Sequence, residues 1–465
     1  MKLKIFILFV ITVLSLNINA QTPVTPFQSA VLQQKLDSCV TAFNVPGVSA
    51  ALLLPGDKYW VGASGVSDIY SFDPIDTTHI FYQASVTKMF VAAIIFQMVE
   101  QNLLSIDDSI GKYLPPILTV PSSTKIRFLL NHRSGLFNFI GGNPAATNSW
   151  FSIPDSIWTP QLAIETYNSN PAFSQGSSFA YSNTNYIVLG MLIERITGNA
   201  FATELKNRIL IPYGLHQTFF PPFDSIAGNQ VTGWTSFTSL SGPYNTDASL
   251  ILNDCSTSMF FTAGALVSSP RDVAKFTRLL FSGRFVHDTT LILMKTCTNV
   301  NLGNNCNGYG YGTMRYNFAG KTYFGHAGDL SGFTNLTIHN ETDDITLAIS
   351  INRNNAPRGP VALAILNALQ QVLTVGVNEP EINNLSFNIY PNPANSTTRI
   401  DFVNSDNETY HVELINQQGQ RVHSAYLGNH SNHHTIDLEN FSGGIYLIKL
   451  SNGIRNEIKK LIIHH

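Results

Sequence analysis

Ser85 and Lys88 are two residues whose types and spacing could carry out chemistry together. A spacing of three places both side chains on one side of a helix. A serine hydroxyl is a weak nucleophile until a base removes its proton, and a lysine does this only where burial leaves it neutral. The apolar run from Met89 to Val99 predicts a buried helix, whose first N–H groups could hold a developing oxyanion. The pattern therefore indicates covalent catalysis by Ser85.

The same spacing occurs a second time, at Ser122 and Lys125, in a different setting. That pair follows Pro121 in a polar stretch, where nothing would desolvate the lysine. For Ser85 the alternative interpretation is a helix N-cap beside a lysine whose charged end reaches solvent. Spacing alone leaves both interpretations open.

Two more short motifs lie where a site could form. Tyr181-Ser182-Asn183 precedes a predicted buried helix, Tyr186 to Thr197, and His326-Ala327-Gly328 ends a late predicted strand. With Ser85-x-x-Lys88, and in this order, they resemble the serine β-lactamase and penicillin-binding family, specifically its branch of class C β-lactamases, D-alanyl-D-alanine carboxypeptidases and esterases. The resemblance covers about residues 27 to 374 and includes three longer stretches: Leu129 to Leu136 (LLNHRSGL), Phe179 to Gly198 and Thr262 to Asp272.

The resemblance implies a role for each residue of the first two motifs. Ser85 would be the acylated nucleophile, and Lys88 and Tyr181 would form a shared proton relay. Asn183 would be a side-chain amide that holds the acyl side of the substrate.

The third motif would form the strand wall of the site. His326 and Gly328 would line it, and the backbone N–H groups of Ser85 and Asp329 would form the oxyanion hole. No metal ion and no organic cofactor are implied. His132, within LLNHRSGL, is expected to make a core hydrogen bond rather than to act in catalysis.

The third motif departs from the family pattern in having His in place of Lys and Ala in place of Thr or Ser. It therefore lacks a permanent cation and a hydroxyl, two groups that help to hold the carboxylate of β-lactams and of terminal D-alanine. With a pKa near the reference value of about 6.5, His326 would be mostly neutral at pH 7. We therefore expect short-chain esters or small peptides to be better substrates than β-lactams.

The elements that must position these residues follow from periodicity. A helix is predicted over residues 27 to 43, helical patterns dominate from Ser85 to Gly283, and a last helix covers about 360 to 374. Strands are predicted at both ends of this region: Gly47 to Leu54, Lys58 to Gly65, Tyr309 to Tyr316, Lys321 to Gly325, Phe333 to His339 and Ile345 to Ile351. This order predicts an antiparallel sheet flanked by helices with an all-helical insertion. The resemblance implies the α/β (α+β) β-lactamase/transpeptidase-like fold.

Composition restricts the class of protein. The 465 residues carry 27 Lys+Arg against 30 Asp+Glu, for a formal net charge of -3, and 44% of them are hydrophobic. That balance gives no basic surface for nucleic acid and enough apolar residues for large cores. Lys2 and Lys4 before the apolar run Ile5 to Leu16 predict a secretory signal over residues 1–20. No transmembrane span is expected in the mature chain.

The chain changes character after residue 375. Residues 21–375 are predicted to form the hydrolase domain, 376–386 a linker, and 387–465 a small β-sandwich. Phe387 to Pro393 (FNIYPNP), Gly443 to Leu450 and the terminal Lys459 to Ile463 resemble the C-terminal sorting domain of type IX secretion substrates. This resemblance implies that the secretion machinery is a partner and that the protein reaches the outer surface or the medium through the periplasm. An adhesive or carbohydrate-binding sandwich is the alternative.

The leading hypothesis is an exported serine hydrolase that acts through a Ser85 acyl-enzyme on an ester, a D-amino-acid peptide or a β-lactam-like compound. The alternative is a catalytically idle surface protein of the same fold that binds such compounds. Cys39, Cys255, Cys297 and Cys306 could pair in three ways after export or stay as buried thiols, and the sequence does not decide among these.

Overall fold

Long apolar runs from both ends of the first 372 residues build the central sheet. Gly47–Leu54 and Ile345–Ile351 are buried at every position, and they pair as antiparallel neighbours with Leu53 opposite Thr346. Runs buried on both faces lack polar alternation because each face packs on apolar neighbours. The computed structural model describes residues 21–235, 246–248, 251–374, 387–402, 409–417, 420–428, 431–452 and 456–464.

In the described residues, contacts divide the chain into two units, Met1–Val372 and Leu373–His465. The strands of the first unit are β1 (Thr22–Pro23), β2 (Gly47–Leu54), β3 (Lys58–Gly65), β4 (Phe81–Tyr82), β5 (Thr218–Phe219), β6 (Trp234–Thr235), β7 (Thr246–Asp247), β8 (Val267–Ser268), β9 (Thr298–Gly303), β10 (Cys306–Tyr309), β11 (Met314–Phe318), β12 (Lys321–Leu330), β13 (Phe333–Asn340) and β14 (Ile345–Ile351). The main sheet has the order β1-β3-β2-β14-β13-β12-β11-β10-β9.

The helices of the first unit lie on both faces of this sheet. They are α1 (Pro26–Ala42), α2 (Thr87–Glu100), α3 (Ile126–Leu130), α4 (Phe139–Gly142), α5 (Pro144–Ser152), α6 (Pro160–Tyr167), α7 (Asn183–Thr197), α8 (Phe201–Leu205), α9 (Ile211–Tyr213), α10 (Asp254–Phe260), α11 (Pro270–Phe281), α12 (Asp288–Met294) and α13 (Arg358–Thr374). α1 starts with a capping box, in which Thr25 and Gln28 satisfy each other's backbone N–H groups.

Two hydrophobic cores lie on opposite faces of the sheet. Along β2, Ala51 and Leu53 join the core that contains α2 and α7, whereas Leu52 and Leu54 join the core that contains α1 and α13. This is the period of two expected of a strand. α2 is buried on all sides from Thr87 to Phe96. The residues of its first turn, including Lys88, therefore lie inside the protein.

The predicted fold class is confirmed, and several element predictions need correction. Tyr309 to Tyr316 is not one strand: β10 and β11 form a hairpin whose turn includes Gly312, at φ 81°, a conformation that favours glycine. β12 continues to Leu330, five residues beyond the predicted end, so the His326 motif lies inside a strand. β9 was not predicted. The predicted signal (1–20) and linker (376–386) lie outside the described residues.

The second unit is a two-sheet β-sandwich, as predicted. Its strands are β15 (Phe387–Tyr390), β16 (Thr397–Phe402), β17 (Tyr410–Ile415), β18 (Arg421–Leu427), β19 (His433–Asp437), β20 (Gly444–Ser451) and β21 (Asn456–Ile463). The sheets have the orders β15-β16-β19 and β18-β17-β20-β21. Ile400 from one sheet and Val412 and Ile448 from the other share one core.

Candidate active site

Ser85 lies in the turn that joins β4 to α2. A 3-10 turn spans Ala84–Val86, and α2 begins at the next residue. Ala84 has φ 49°, a left-handed conformation that costs a non-glycine residue energy and is concentrated at functional sites. Ala84 and Val86 are buried, whereas Ser85 is partly exposed and lines a cavity. The turn therefore directs Ser85 towards this cavity, while its two neighbours face the core.

Lys88 lies in the first turn of α2 and is completely buried. Its Nζ is 2.9 Å from Ser85 Oγ, 2.8 Å from Asn183 Oδ1 and 2.6 Å from the carbonyl oxygen of Ala263. Burial lowers the pKa of Lys88 well below its usual value, because a buried ammonium loses its hydration. The sequence predicted this burial from the apolar run.

Asn183 is the first residue of α7, and a second asparagine fixes its amide. Asn138 Oδ1 accepts hydrogen bonds of 3.1 Å from both the backbone N–H and the side-chain amide of Asn183. The amide oxygen of Asn183 is thereby directed at Lys88. Sequence reasoning did not identify Asn138, which lies in the loop just after LLNHRSGL.

Tyr181 places its hydroxyl beside the nucleophile. The hydroxyl is buried and has no geometric hydrogen-bond partner among the described atoms. Burial raises the pKa of Tyr181, and the neighbouring Ser85 hydroxyl offsets part of that rise. Lys88 Nζ is 5.0 Å from the centre of the ring, and the His132 ring packs against it with centroids 4.1 Å apart. The phenol is held in its protonated form.

Ser182, between these two motif residues, belongs to the support of the site. Its backbone N–H donates to His132 Nδ1 over 3.2 Å, and its hydroxyl donates to the carbonyl of Phe137. His132 is fully buried and makes hydrogen bonds in the core, which agrees with the expectation for this residue.

One edge of β12 is open at the site. β11 pairs with β12 only from Lys321 to Gly325, while β13 pairs with it as far as Leu330. Leu330 and Phe333 flank a two-residue turn and form a hydrogen-bonded pair. Peptide groups alternate between the two sides of an antiparallel strand, so Gly325 points away from β13 and towards β11. The N–H groups of Ala327 and Asp329 therefore face the open side, where the predicted oxyanion donor must be.

Gly328 permits this edge to approach the nucleophile. A Cβ at this position would lie 2.1 Å from the carbonyl oxygen of Gln83 and 3.2 Å from Cβ of Ala84. Any side chain would push β12 away from the 3-10 turn that carries Ser85. The glycine of the third motif therefore acts through backbone spacing.

His326 differs from the sequence expectation in its pKa and its contacts. It is completely buried, and burial lowers its pKa to about 3 rather than leaving it near 6.5. Its Nε2 is 3.1 Å from the hydroxyl of Tyr309, and its Nδ1 is 2.6 Å from the carbonyl oxygen of Ala327. Among the described residues that line the cavity, Ala327 and Asp329 are present, and His326 is not.

The cavity has a volume of about 250 Å³. Its described lining combines the catalytic candidates with apolar and polar groups: Ser85, Tyr181, Asn183, Leu302, Gly303, Asn304, Cys306, Met314, Tyr316, Ala327, Asp329 and Arg358. Asp329 and Arg358 form an ion pair with each other. Arg358, at the start of α13, was not identified from the sequence because no motif marks it.

The second Ser-x-x-Lys pair lies in a different environment. Ser122 and Lys125 are both exposed, and Lys125 precedes α3 rather than lying within a helix. Its backbone N–H donates to Gln175 Oε1. Within the described parts of the chain, no group of three or more His, Cys, Asp or Glu residues could hold a metal ion.

A comparison with protein families matches two parts of the chain. The family described as Beta-lactamase matches residues 32–371, and the Secretion system C-terminal sorting domain matches residues 388–464. The first match covers well over half of the chain, so the protein belongs to the Beta-lactamase family. The sorting domain indicates secretion to the outer surface or beyond, and it confirms the interpretation of the tail. Among the described residues, no helix is long and apolar enough to cross a membrane.

Curated relatives include penicillin-binding proteins. Penicillin-binding protein 4 of Amycolatopsis lactamdurans is 27% identical over 205 residues, which are 43% of this chain and 51% of that protein. The putative penicillin-binding protein PbpX of Bacillus subtilis is 27% identical over 297 residues, 63% of this chain and 67% of that protein. The chain spans about half or less of the length of the first two relatives.

Solved structures of two hydrolases are also similar. D-amino acid amidase from Ochrobactrum anthropi SV3, in complex with D-phenylalanine, has a TM-score of 0.66 at 26% identity, covering 74% of this chain and 99% of that one. D-stereospecific amidohydrolase from Streptomyces sp. has a TM-score of 0.63 at 27% identity, covering 73% of this chain and 98% of that one.

Proposed function

We propose that this protein is an exported serine hydrolase that forms an acyl-enzyme at Ser85 and acts on small esters or amides. The observation that carries the proposal is the set of partners around Lys88 Nζ. The side-chain amide oxygen of Asn183 and the backbone carbonyl oxygen of Ala263 can only accept hydrogen bonds. When the Lys88 amine is neutral, its two protons therefore point to these two oxygens. The remaining lone pair then faces Ser85 Oγ, 2.9 Å away, as a general base requires.

In the first step, Lys88 takes the proton of the Ser85 hydroxyl while Oγ attacks the substrate carbonyl carbon. The negative charge that forms on the carbonyl oxygen would be stabilised by the N–H groups of Ser85 and Asp329. The proton on Lys88 then passes through the Tyr181 hydroxyl to the leaving alcohol or amine as the bond to the acyl carbon breaks. Tyr181 serves as a relay because burial raises its pKa and keeps it protonated.

Water completes the cycle by the reverse route. Lys88, neutral again, accepts a proton from water through the same relay, and the hydroxide attacks the acyl carbon. The acid product leaves, and the Ser85 oxygen regains its proton. Asn183, held by Asn138, would bind the acyl side of the substrate.

Three observations bear on the size, charge and chemical class of the substrate. The cavity volume of about 250 Å³ is below the roughly 300–1,000 Å³ of pockets for drug-sized ligands. The charged side chains in its described lining, Asp329 and Arg358, neutralise each other. The similarity to D-amino acid amidase and D-stereospecific amidohydrolase supports amides of D-amino acids as one substrate class.

The acyl-enzyme is tested by labelling the full chain with a fluorophosphonate and locating the adduct by mass spectrometry. We expect a single adduct on Ser85. If the protein stays unlabelled under conditions in which a known family member reacts, the hydrolase proposal is wrong and the chain is a binding protein of the same fold.

The substrate class is tested by kcat/KM for p-nitrophenyl esters, D-amino-acid amides, acyl-D-alanyl-D-alanine and nitrocefin. We expect esters or D-amino-acid amides to exceed nitrocefin, because the third motif supplies neither a cation nor a hydroxyl to the cavity. Nitrocefin as the best substrate would overturn this ranking while leaving the acyl-enzyme in place.

A further inference from the structure

We propose that Tyr309 is a positioning residue of the hydrolase, a proposal that rests on the function proposed above. Its hydroxyl joins His132 and His326 into a one-way chain of hydrogen bonds, which runs from the loop that carries Tyr181 to the open edge of β12. The chain fixes the two imidazoles in opposite tautomers, and it holds the relay tyrosine and the oxyanion strand in register.

The chain begins at a group that can only donate. The backbone N–H of Ser182 donates to His132 Nδ1 over 3.2 Å, and the Asn185 side-chain amide lies 3.1 Å from the same nitrogen. The Ser134 hydroxyl donates to Asn185 Oδ1, which turns the NH₂ group of Asn185 towards His132. His132 Nδ1 is therefore an acceptor, and the neutral ring carries its proton on Nε2.

Tyr309 is the next member of this chain of hydrogen bonds and keeps its donor-to-acceptor direction. His132 Nε2 lies 3.1 Å from the Tyr309 hydroxyl oxygen and donates to it. The single hydroxyl proton of Tyr309 can then be donated to His326 Nε2, also 3.1 Å away. The neighbouring Tyr186 hydroxyl also interacts with Tyr309, and it gives its own proton to the carbonyl of Leu130 over 2.8 Å. His326 must carry its own proton on Nδ1.

The chain ends at a group that can only accept. His326 Nδ1 donates to the carbonyl oxygen of Ala327 over 2.6 Å, in the part of β12 that borders the cavity. The reverse direction would require this carbonyl to donate and the Ser182 N–H to accept, and neither group can do so. Both ends therefore require the hydrogen bonds to run in the same direction, from the Ser182 N–H to the Ala327 carbonyl.

No further proton fits into the chain. A second proton on His132 Nδ1 would face the N–H of Ser182, and one on His326 Nε2 would face the hydroxyl proton of Tyr309. The surroundings of the two rings also favour their neutral forms. Burial lowers the pKa of both histidines, the charge of Lys88 lowers both further, and Arg358 adds to the effect on His326. Both rings stay neutral at the pH where Lys88 is needed as a base.

The chain connects two parts of the site that lie far apart in sequence. Ser182 follows Tyr181 directly, and the rings of His132 and Tyr309 pack on Tyr181 with centroids 4.1 and 5.9 Å away. Ala327 lies two residues before Asp329, whose N–H is the proposed oxyanion donor. Tyr309 thus fixes the spacing between relay and oxyanion hole without lining the cavity in the described structure.

The tautomers can be measured without any substrate. In full-length protein with ¹⁵N-labelled histidine, long-range ¹H–¹⁵N correlation spectra distinguish Nε2–H from Nδ1–H rings. We expect His132 as Nε2–H and His326 as Nδ1–H, with both spectra unchanged from pH 8 to pH 5. The same tautomer on both rings, or protonation of either ring in this range, would overturn the proposal.

The kinetic arm compares Tyr309→Phe with Tyr311→Phe. Tyr311 lies in the turn after β10, packs on Phe96 and is partly exposed, so it is a matched control. We expect Tyr309→Phe to lower kcat about 10- to 100-fold with KM nearly unchanged, since misplacement rather than loss of a contact is the cause. We also expect the ¹⁵Nε2 resonance of His326 to shift in this variant, because Nε2 loses its hydrogen-bond donor while the Ala327 carbonyl still holds the proton on Nδ1.

The outcomes separate the two proposals. Equal kcat values for Tyr309→Phe and Tyr311→Phe would remove the positioning role while leaving the acyl-enzyme intact. Absence of a Ser85 adduct in the wild type would overturn the proposed hydrolase function. The tautomer spectra would still test whether the chain of hydrogen bonds from Ser182 to Ala327 exists. If Tyr309→Phe does not fold, the wild-type spectra decide.

Discussion

The protein contains two Ser-x-x-Lys segments, and they share little beyond their spacing. At Ser85 the lysine is completely buried and has three oxygen partners, whereas Ser122, within a turn, and Lys125, just after it, are both exposed. Burial lowers the pKa of Lys88, and the fixed acceptors direct its lone pair. In the proposed mechanism, the chemistry therefore depends on the apolar helix that buries Lys88 and on the residues that surround it, and the spacing of the pair is not enough.

The largest expected effect separates the two serines. Ser85→Ala should abolish fluorophosphonate labelling and lower kcat by at least about 1,000-fold, because no other group in the proposed mechanism forms the acyl bond. Ser122→Ala should leave kcat/KM within about twofold of wild type. Similar losses in both variants, measured on a p-nitrophenyl ester, would show that the wrong pair was chosen.

The lysines should differ in the same way. Lys88→Ala and Tyr181→Phe should each lower kcat by about 100-fold or more, and the double variant should lose little further because both residues serve one proton relay. Lys125→Ala is the matched control and should have no measurable effect on kcat. Additive losses in the double variant would instead assign Lys88 and Tyr181 independent roles.

The pH dependence of kcat/KM tests the buried environment directly. Only neutral Lys88 can take the serine proton, so the rate should rise with pH through the folded-state pKa of Lys88 and then level off. Because burial lowers that pKa well below 10.5, the plateau should be reached far below pH 10. A rate that continues to rise up to pH 10 would mean that Lys88 titrates as an exposed lysine does.

The smallest expected effect concerns the tail. A chain that ends at residue 374 should keep kcat/KM within about twofold, because the residues proposed to act on substrate belong to the first unit. The same truncation should leave the protein in the periplasm of its native host, since the sorting domain is missing. Loss of cooperative melting in the truncated protein would show that residues 375–465 contribute to the folding of the catalytic unit.

Strong local patterns made much of the fold predictable. Gly47–Leu54 and Lys58–Gly65 have the predicted bounds, because each is a β-rich run bounded by turn residues. The β10–β11 hairpin was missed since its turn, around Gly312, lies within a run that otherwise alternates like a strand. β12 extends past its predicted end because its last residues are held by pairing with β13, a long-range contact that no local pattern encodes.

The candidate site was predictable in its motifs and less so in its contacts. Ser85, Lys88, Tyr181 and Asn183 lie close together in the structure, since each motif lies at the start of a buried helix or just before one, and their catalytic roles stay predictions. The contacts of His326 could not be predicted from the sequence, because its side chain turns into the core towards Tyr309. The contact between Lys88 and the Ala263 carbonyl could not be predicted either, because every residue type supplies a backbone carbonyl.

The four cysteines are all free thiols in the structure. Burial raises the pKa of Cys39 and Cys306 and raises that of Cys297 to about 11, so these three stay in the unreactive thiol form. Because Cys39 and Cys306 are buried, oxidation of either thiol requires the core around it to open, which couples the reactivity of these cysteines to local unfolding.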